Sequence, residues 1–280
     1  MSIMVYAMDK GLILRALPTS PADGSLDAVS QRLPQGVYST FRTYAAGQKV
    51  LGLQAHLDRL FGPAAAQGLQ PSVSADELRQ GLRKLLETSQ TSEARVRISL
   101  ALTEQPGQVF VILEPLKLLD EKVYQCGVKV VTSSVERVNP RLKSTAFIQE
   151  SADERKTLLS LDVFEALIVK NGLILEGMTS NFYALQNSKI TTAKNGILLG
   201  VTRRVVLKLL RAEGIEIDYR PLRVDELAGI DEAFITSSSR GVVPVVSVDG
   251  RPVGQGQPGA LARRLRGSYD AYVLQKAENI

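Results

Sequence analysis

The sequence predicts a two-domain protein of the mixed α/β (α+β) class. Runs with the twofold alternation of strands and runs with the spacing of amphipathic helices follow one another along its 280 residues. A hydrophobic content of 44% provides enough apolar side chains for a sizeable core. Residues 114–122, rich in Pro, Lys, Asp and Glu, interrupt this pattern. We therefore expect a small N-terminal α/β domain over residues 1–115, a linker over 116–122 and a larger domain over 123–280.

Two hairpins and two helices are expected in the N-terminal domain. Residues 37–44 and 49–53 have strand character and flank a glycine turn, and strands over 95–102 and 109–113 meet at a Pro-Gly turn. Apolar residues at helical spacing predict a helix near residues 57–65, which Pro63 bends or breaks. A second helix should begin after Ser74, which forms a capping box with Glu77.

Strands and helices alternate in the larger domain. The strand pattern recurs in four segments, at residues 165–170, 182–185, 233–236 and 243–248. Helical spacing recurs in three segments, at about residues 151–161, 202–212 and 258–273. Such alternation is typical of a sheet with helices packed against it.

The composition excludes several classes of function. Cys126 is the only cysteine and His56 the only histidine, so disulfides and Cys- or His-rich metal sites are not expected, and a lysine or carboxylate should act as any general base. The net charge of +5 is modest and its basic residues are interspersed with acidic ones, so no nucleic-acid partner is expected. No run of 18 apolar residues and no signal-peptide pattern occurs, so we expect a cytoplasmic protein without a membrane partner.

Lys143 is the first candidate for chemistry, in the segment Pro140-Arg141-Leu142-Lys143. A lysine amine can bond to an aldehyde cofactor as a Schiff base and later carry a proton, and lysine is the side chain that offers this amine within a chain. Read alone, Lys143 is more simply a solvated surface charge. Its interpretation therefore depends on residues elsewhere.

Glu176 is the second candidate. It ends an apolar stretch and precedes Gly177, so its carboxylate lies where a strand gives way to a sharp turn of small, hydroxyl-bearing residues. A carboxylate there could pair with the nitrogen of a pyridine ring and keep that nitrogen protonated, which makes the ring an electron sink. Taken by itself, Glu176 is more simply an ordinary turn glutamate.

Three further elements offer groups that bind phosphate. A glycine turn opens a helix whose first N–H groups belong to Val201 and Thr202, and helix N-termini attract anions. Arg59 could donate two hydrogen bonds to phosphate oxygens, and Ser238 and Ser239 follow an apolar strand. Each element also has an ordinary interpretation, as a capped helix start, a solvated arginine and a serine loop.

In order and in combination, these segments resemble the fold-type IV pyridoxal-phosphate enzymes. This class IV aminotransferase family includes branched-chain amino acid aminotransferases, D-amino acid aminotransferases and aminodeoxychorismate lyase. The resemblance covers about residues 30–265, and Glu176-Gly177-Met178-Thr179-Ser180-Asn181 is its most specific match. The other matching segments are Gly36–Arg42, His56–Leu60, Leu142-Lys143, Leu199–Arg203 and Asp231–Val245.

The resemblance implies a homodimer of two-domain subunits, in which the larger C-terminal domain is a pseudo-barrel that binds pyridoxal 5'-phosphate. It implies that Lys143 is catalytic and carries the cofactor as a Schiff base. The implied cofactor-binding residues are Arg59, Lys143, Glu176, Ser180, Asn181, Val201, Thr202, Ser238 and Ser239.

Four residues are candidates for holding the substrate. A guanidinium binds a carboxylate through two hydrogen bonds, and the arginines considered for this role are Arg42, Arg97 and Arg240. Arg97 fits the family pattern best on its strand, and Arg240 stands where better-known transaminases carry a small residue. The resemblance implies Tyr38 as the fourth substrate-binding residue.

We expect an aminotransferase that moves an amino group between an amino acid and a 2-keto acid, with branched-chain L-amino acids favoured and D-amino acids as the other choice. Two departures from the family keep the alternatives open. Ala146-Phe147-Ile148 replaces a segment that often supplies a tyrosine for the cofactor's ring hydroxyl, and Leu33 replaces a tyrosine usual in branched-chain enzymes. The alternatives are an aminodeoxychorismate lyase that releases pyruvate and a non-catalytic binding protein with the same fold.

Overall fold

The computed structural model of the chain describes residues 3–89, 91–161 and 163–280, without the side chain of Leu159. The chain forms two compact units, and each has a sheet of its own. The first unit consists of Met1–Lys117, Leu142–Glu150 and Lys276–Ile280. The second unit consists of Leu118–Arg141 and Ser151–Gln275.

Two segments from the region 123–280 belong to the first unit. Residues 142–150 join it because Ser144 forms an antiparallel bridge to Val37. Residues 276–280 join it because Glu278 pairs with Val50 at the edge of the sheet. The predicted division at residues 116–122 stays a prediction.

The first unit is an antiparallel sheet with helices against it. Its strands in the described chain are β1 (Met4–Asp9), β2 (Ile13–Leu17), β3 (Gly36–Tyr44), β4 (Lys49–Val50), β5 (Ala94–Ala101), β6 (Val109–Pro115) and β17 (Glu278–Asn279). They lie in the order β17-β4-β3-β5-β6-β1-β2. The helices are α1 (Leu26–Arg32), α2 (Leu53–Ala66), α3 (Ala75–Thr88) and α5 (Ala146–Glu150). Because side chains alternate along β5 and β6, one face packs Ile98 and Val111 against α2 and α3, and the other packs Phe110 and Ile112 against α1.

The second unit is a mixed sheet that closes on itself. Its strands in the described chain are β7 (Val128–Ser133), β8 (Glu165–Lys170), β9 (Leu173–Gly177), β10 (Asn181–Gln186), β11 (Lys189–Thr191), β12 (Glu216–Asp218), β13 (Leu222–Arg223), β14 (Glu232–Ser237), β15 (Gly241–Val248) and β16 (Arg251–Pro252). The helices are α4 (Glu121–Cys126), α6 (Ala152–Ser160), α7 (Val201–Ala212) and α8 (Ala260–Lys276), with a 3₁₀ turn at Val224–Gly229.

Closure of this sheet produces the pseudo-barrel. The ladder runs β10-β14-β15-β7-β8-β9, and β9 pairs again with β10 through Glu176 and Asn181. The path of paired strands therefore returns to its start, which removes two exposed edges. Apolar side chains from these strands, among them Leu167, Phe182 and Ile235, form the core.

Two expectations for the first unit, one for a strand and one for a helix, are corrected by the structure. The strand predicted over residues 49–53 ends at Val50, because Gly52 adopts φ 65° and α2 begins at Leu53. Pro63 does not break α2, which continues to Ala66; its missing N–H removes a single hydrogen bond from a helix whose apolar side is buried. The capping box of Ser74 and Glu77 is confirmed at the start of α3.

The described part of the chain contains no helix that is both long enough and apolar enough to cross a membrane. Within the same residues, no group of three or more His, Cys, Asp and Glu side chains is placed to hold a metal ion. Cys126 ends α4 and is exposed.

Two glycine substitutions should change stability in opposite directions. A Cβ at Gly36 would lie 2.0 Å from the carbonyl oxygen of Leu100, so Gly36→Ala must push two paired strands apart and should cost about 1–3 kcal/mol in the free energy of unfolding. Gly267 lies in α8 with open space around it, so Gly267→Ala should stabilise the protein by about 0.5–1 kcal/mol. Urea unfolding measures both changes. An unchanged midpoint for Gly36→Ala would contradict the packing described for β3.

Candidate active site

Lys143 lies on a short segment that pairs with β3 in the first unit. The Tyr38 N–H donates to the Lys143 carbonyl oxygen at 2.9 Å, and the Thr145 N–H donates to the Gly36 carbonyl oxygen at 2.9 Å. These bonds fix the backbone on both sides of the lysine. The side chain is half-buried, and its Nζ lies 4.8 Å from the centroid of the Tyr38 ring. Lys143 is thus held against an aromatic face, which is a favourable place for an amine cation.

The guanidinium of Arg97 lies against the same tyrosine ring, that of Tyr38. Its guanidinium carbon is 4.6 Å from the Tyr38 ring centroid. The side chain is 6% exposed and forms an ion pair with Asp27 at 2.7 Å. Further donor nitrogens bond to the hydroxyls of Ser30 at 2.8 Å and Thr40 at 3.0 Å. Arg97 therefore joins α1 to the sheet, and it already holds an internal carboxylate.

Arg59 lies on α2, close to β3. Its Nη1 donates to the hydroxyl of Ser39 at 3.4 Å, and that hydroxyl lies 2.8 Å from His56 Nδ1. Ser39 and His56 are buried, whereas Arg59 is half-buried. The histidine therefore packs in the core and orients the serine that Arg59 contacts. Arg42 lies apart from this group, in an ion pair with Glu93 at 2.5 Å.

In the second unit, Glu176 is held at the point where the barrel closes. Its carboxylate is 3% exposed. One oxygen accepts hydrogen bonds from the Leu198 N–H at 2.9 Å and from Asn181 Nδ2 at 3.3 Å. The other oxygen lies 3.2 Å from Nε of Arg137, whose side chain is also buried. The guanidinium supplies the opposite charge that a buried carboxylate needs.

The turn after Glu176 is packed closely against its neighbours. A Cβ at Gly177 would lie 2.2 Å from Oγ of Ser180, so a larger residue there would have to displace the serine side chain. Among the described residues, the buried Ser180 hydroxyl has no hydrogen-bond partner, which leaves it available to a ligand. Asn181 donates to the Leu198 carbonyl oxygen at 2.8 Å, and its Oδ1 would lie 2.4 Å from a Cβ at Gly200. Asn181 therefore connects the turn to the segment that leads into α7.

Helix α7 begins without a capping side chain. Its N-cap residue is Gly200, and the first helical residues, Val201 and Thr202, are buried. The Thr202 hydroxyl lies 3.5 Å from the hydroxyl of Ser238 and 3.4 Å from that of Tyr269. Backbone N–H groups and hydroxyls thus converge near the start of the helix, where the helix dipole favours an anion.

Arg203 anchors the first turn of α7. Its guanidinium is buried and donates to the hydroxyl of Thr192 at 2.8 Å and to the carbonyl oxygen of Ala193 at 2.7 Å. The same guanidinium lies 5.7 Å from the ring of Tyr183, which stacks on Phe234. Burial raises the pKa of the Tyr183 phenol. The side chains under the helix start are therefore closely packed and hydrogen-bonded.

Arg240 lies at the turn between β14 and β15, beside Ser238 and Ser239. Its Nε donates to the hydroxyl of Ser237 at 2.9 Å. Its Nη2 lies 3.1 Å from Glu165 and donates to the hydroxyl of Thr179 at 2.6 Å. Like Arg97 and Arg42, this arginine holds an internal carboxylate.

The structure brings the predicted residues together in two groups, one in each unit. In the first unit, the side chains of Lys143 and Arg97 both lie against the ring of Tyr38. In the second, the group is larger and consists of Glu176, Ser180, Asn181, Val201, Thr202 and Ser238. The roles assigned to these residues, and to Ser239, stay predictions.

Three residues of the site have no place in the sequence motifs. Glu165 does carry a signal, since it is a carboxylate at the start of an otherwise apolar strand, and a buried carboxylate calls for a partner. Arg137 and Tyr269 carry no signal in the sequence. Arg137 contacts Glu176, 39 positions away, and Tyr269 contacts Thr202, 67 positions away.

The second unit has donors and acceptors that fit pyridoxal phosphate. An uncapped helix start beside two hydroxyls suits the phosphate, and the Glu176 carboxylate suits the ring nitrogen. The unpaired Ser180 hydroxyl is a further polar group that a ligand would satisfy.

Comparison with known proteins agrees with this geometry. The family described as "Amino-transferase class IV" matches residues 36–248. A D-alanine aminotransferase of Bacillus licheniformis is 30% identical over 86% of this chain and 88% of its own length. A probable branched-chain-amino-acid aminotransferase of Thermotoga maritima is 31% identical over 88% of this chain and 89% of its own length.

Solved structures show the same fold. The crystal structure of a putative branched-chain amino acid aminotransferase from Thermotoga maritima superposes with a TM-score of 0.79 at 28% identity, over 97% of this chain and 96% of the other. A branched-chain amino acid aminotransferase from T.th., crystallised with pyridoxamine 5'-phosphate, has a TM-score of 0.80 at 22% identity, over 98% and 94%. The chain belongs to the class IV aminotransferases, the fold-type IV family of enzymes that depend on pyridoxal phosphate.

Proposed function

We propose that this enzyme transfers an amino group between an amino acid and a 2-keto acid, with branched-chain L-amino acids as the favoured donors and D-amino acids as the second choice. The observation that carries the proposal is the placement of Lys143, whose backbone is fixed to β3 and whose amine lies on the Tyr38 ring. A lysine held in this way has its Nζ confined to the neighbourhood of the ring, which favours repeated proton transfer.

Each predicted residue has a role that its surroundings support. Pyridoxal phosphate, when bound, supplies a pyridine ring that accepts the electron pair released at the donor's α-carbon. Glu176 would accept a hydrogen bond from the ring nitrogen, with Asn181 and the Leu198 N–H holding its other oxygen in place. The N–H groups of Val201 and Thr202 would hold the phosphate.

Other groups complete the binding of the cofactor. Ser238 or Ser239 would add a hydroxyl to the phosphate, and Arg59 would add its guanidinium. The Ser180 hydroxyl, unpaired among the described residues, would donate to the cofactor as well.

Lys143 would move the proton. Its Nζ would take the proton from the α-carbon of the donor and deliver it to a second carbon. Water would then release the keto acid, and the amino group would stay with the cofactor. A second keto acid then receives the amino group in the reverse sequence of steps. The Tyr38 ring would confine Nζ between the two transfers, because the aromatic face attracts the amine while it carries the proton and is charged.

The pairing of the three candidate substrate arginines supports a donor with an apolar side chain. Arg42, Arg97 and Arg240 each pair with an internal carboxylate, from Glu93, Asp27 and Glu165 respectively. A second carboxylate on the substrate would have to displace one of these partners, which reduces the gain from binding it. Amino acids such as leucine, isoleucine and valine carry no such group.

The homodimer implied by the family resemblance and the cytoplasmic location both stay predictions. Relatives at similar identity are named for D-alanine and for branched-chain amino acids, so their names leave the stereochemical preference open. The identity of the donor therefore has to be measured.

Lys143→Ala should abolish both the visible absorbance of the bound cofactor and the activity. The variant lacks the amine that bonds to the cofactor and moves the proton, so kcat should fall by at least about 1,000-fold. Absorbance spectra and a coupled transamination assay measure the two effects. Lys170→Ala is the matched control, since Lys170 is exposed and pairs with Glu136 at the surface. A spectrum and rate like those of the wild type in Lys143→Ala would disprove the assignment.

Glu176→Gln should lower turnover while cofactor binding is largely kept. The neutral amide cannot offer a charged acceptor to the ring nitrogen, so kcat should fall by about 100-fold or more, whereas the phosphate-binding groups are untouched. Steady-state kinetics with saturating cofactor measure the change. Glu216→Gln, which removes an exposed carboxylate paired with Lys189, should leave kcat unchanged. Equal rates for both variants would contradict the proposed role of Glu176.

A panel of donors in both enantiomers tests the substrate. With one keto acid as acceptor, the branched-chain L-amino acids should exceed D-alanine in kcat/KM by at least about tenfold, which corresponds to about 1.4 kcal/mol in transition-state binding. A reversed ratio would assign the enzyme to D-amino acids. Pyruvate release from aminodeoxychorismate without any keto acid would instead identify a lyase.

A further inference from the structure

We propose that Arg240 is a positioning residue that, together with Glu165, ties two cofactor-binding turns to each other. The first turn is residues 177–180, which follow Glu176. The second turn is residues 237–240, which contain Ser238 and Ser239. The inference rests on the proposed function, in which both turns contact pyridoxal phosphate.

Glu165 organises the first turn from beneath. Its Oε1 accepts the N–H of Thr179 at 2.5 Å and the hydroxyl of Thr179 at 2.8 Å. Its carboxyl carbon would lie 3.1 Å from a Cβ at Gly177, so the carboxylate fills the space that the glycine leaves. Glu165 is 3% exposed. The shape of the first turn therefore depends on this buried carboxylate.

Arg240 organises the second turn and reaches the first. Its N–H and Nε donate to the carbonyl oxygen and the hydroxyl of Ser237, at 3.3 Å and 2.9 Å. Its Nη2 donates to Oε2 of Glu165 at 3.1 Å and to the Thr179 hydroxyl at 2.6 Å. The guanidinium also lies 5.2 Å from the centroid of the Phe164 ring. One side chain thus connects both turns and the carboxylate beneath them.

The sheet places the turns side by side without fixing the distance between their tips. Asn181 pairs with Glu176 on one side and with Thr236 on the other, so β9, β10 and β14 are neighbours. The second turn joins β14 to β15, where Ser237 pairs with Gly241. The ladder bonds hold the strand ends, and the guanidinium links the turns beyond them.

This arrangement disfavours Arg240 as the receptor for a substrate carboxylate. Its guanidinium is already paired with Glu165, which is buried. Turning the guanidinium towards a substrate would leave that carboxylate without its cation in a dry environment, which is strongly unfavourable. The same pairing makes Arg240 well suited to hold the turns in one geometry.

Cofactor titration of four variants tests the proposal. Arg240→Gln should raise the dissociation constant of pyridoxal phosphate about tenfold and weaken the circular dichroism of the bound cofactor, because both turns lose their link. The Michaelis constants for an apolar keto acid and for a keto acid with a second carboxylate should change by the same factor. Arg240→Lys, which keeps the charge but has a single donor group, should recover part of the affinity.

The remaining two variants distinguish loss of the Arg240–Glu165 pair from a general loss of folding. Arg240→Gln alone leaves Glu165 unpaired, so the double variant Arg240→Gln, Glu165→Gln removes the buried charge and serves if the single variant folds poorly. Its cofactor affinity should be as low as that of the single variant, because the two residues act together. Arg223→Gln breaks an exposed pair with Asp225 in the same unit and should change nothing.

The outcomes distinguish this inference from the proposed function. Unchanged cofactor affinity in Arg240→Gln, with a raised Michaelis constant only for the keto acid with a second carboxylate, would overturn the inference and make Arg240 a substrate residue. Cofactor affinity in the double variant equal to that of the wild type would also overturn it. If pyridoxal phosphate gives the wild type no absorbance band that is lost in Lys143→Ala, both this inference and the proposed function are overturned.

Discussion

The Glu176 carboxylate lies at the pair of residues that closes the barrel, and much of the second unit is arranged around it. Glu176 and Asn181 are the β9–β10 pair, so the residue that faces the ring nitrogen in our proposal is also part of the closure. Its two oxygens are held by Arg137, by Asn181 and by the Leu198 N–H, from three separate stretches of chain. Removal of the whole side chain would therefore loosen the segment that leads to α7 as well as the site, whereas a glutamine keeps an oxygen that can accept the Leu198 N–H.

Charge balance is the second constraint on this fold. Arg97 and Arg240 are each matched with an internal carboxylate, and Arg203 is satisfied by neutral oxygens. Buried guanidinium groups of this kind need fixed partners, so the loops that carry them are held firmly. A site made in this way is preorganised for its ligands.

The sequence predicts local features well and distant contacts poorly. Periodicity and capping locate the longer helices and about half of the strands of the described chain, and the Ser74 capping box is confirmed, because these patterns depend on residues within a few positions of each other. The end of the strand at Val50 and the continuity of α2 through Pro63 depend on a left-handed glycine and on burial, which the pattern does not contain. The Glu176 turn is marked by a motif, whereas its partner Arg137 is 39 residues away and has no local mark.

The discontinuity of the first unit has a consequence for folding during synthesis. Its sheet starts with residue 4 but gains β17 only at residues 278–279, and Ile280 is buried in its core. The unit begun first is thus completed last, after more than one hundred residues of the second unit have left the ribosome. Until then, the short strand β4 has an unpaired edge, and nascent chains must avoid pairing there with one another.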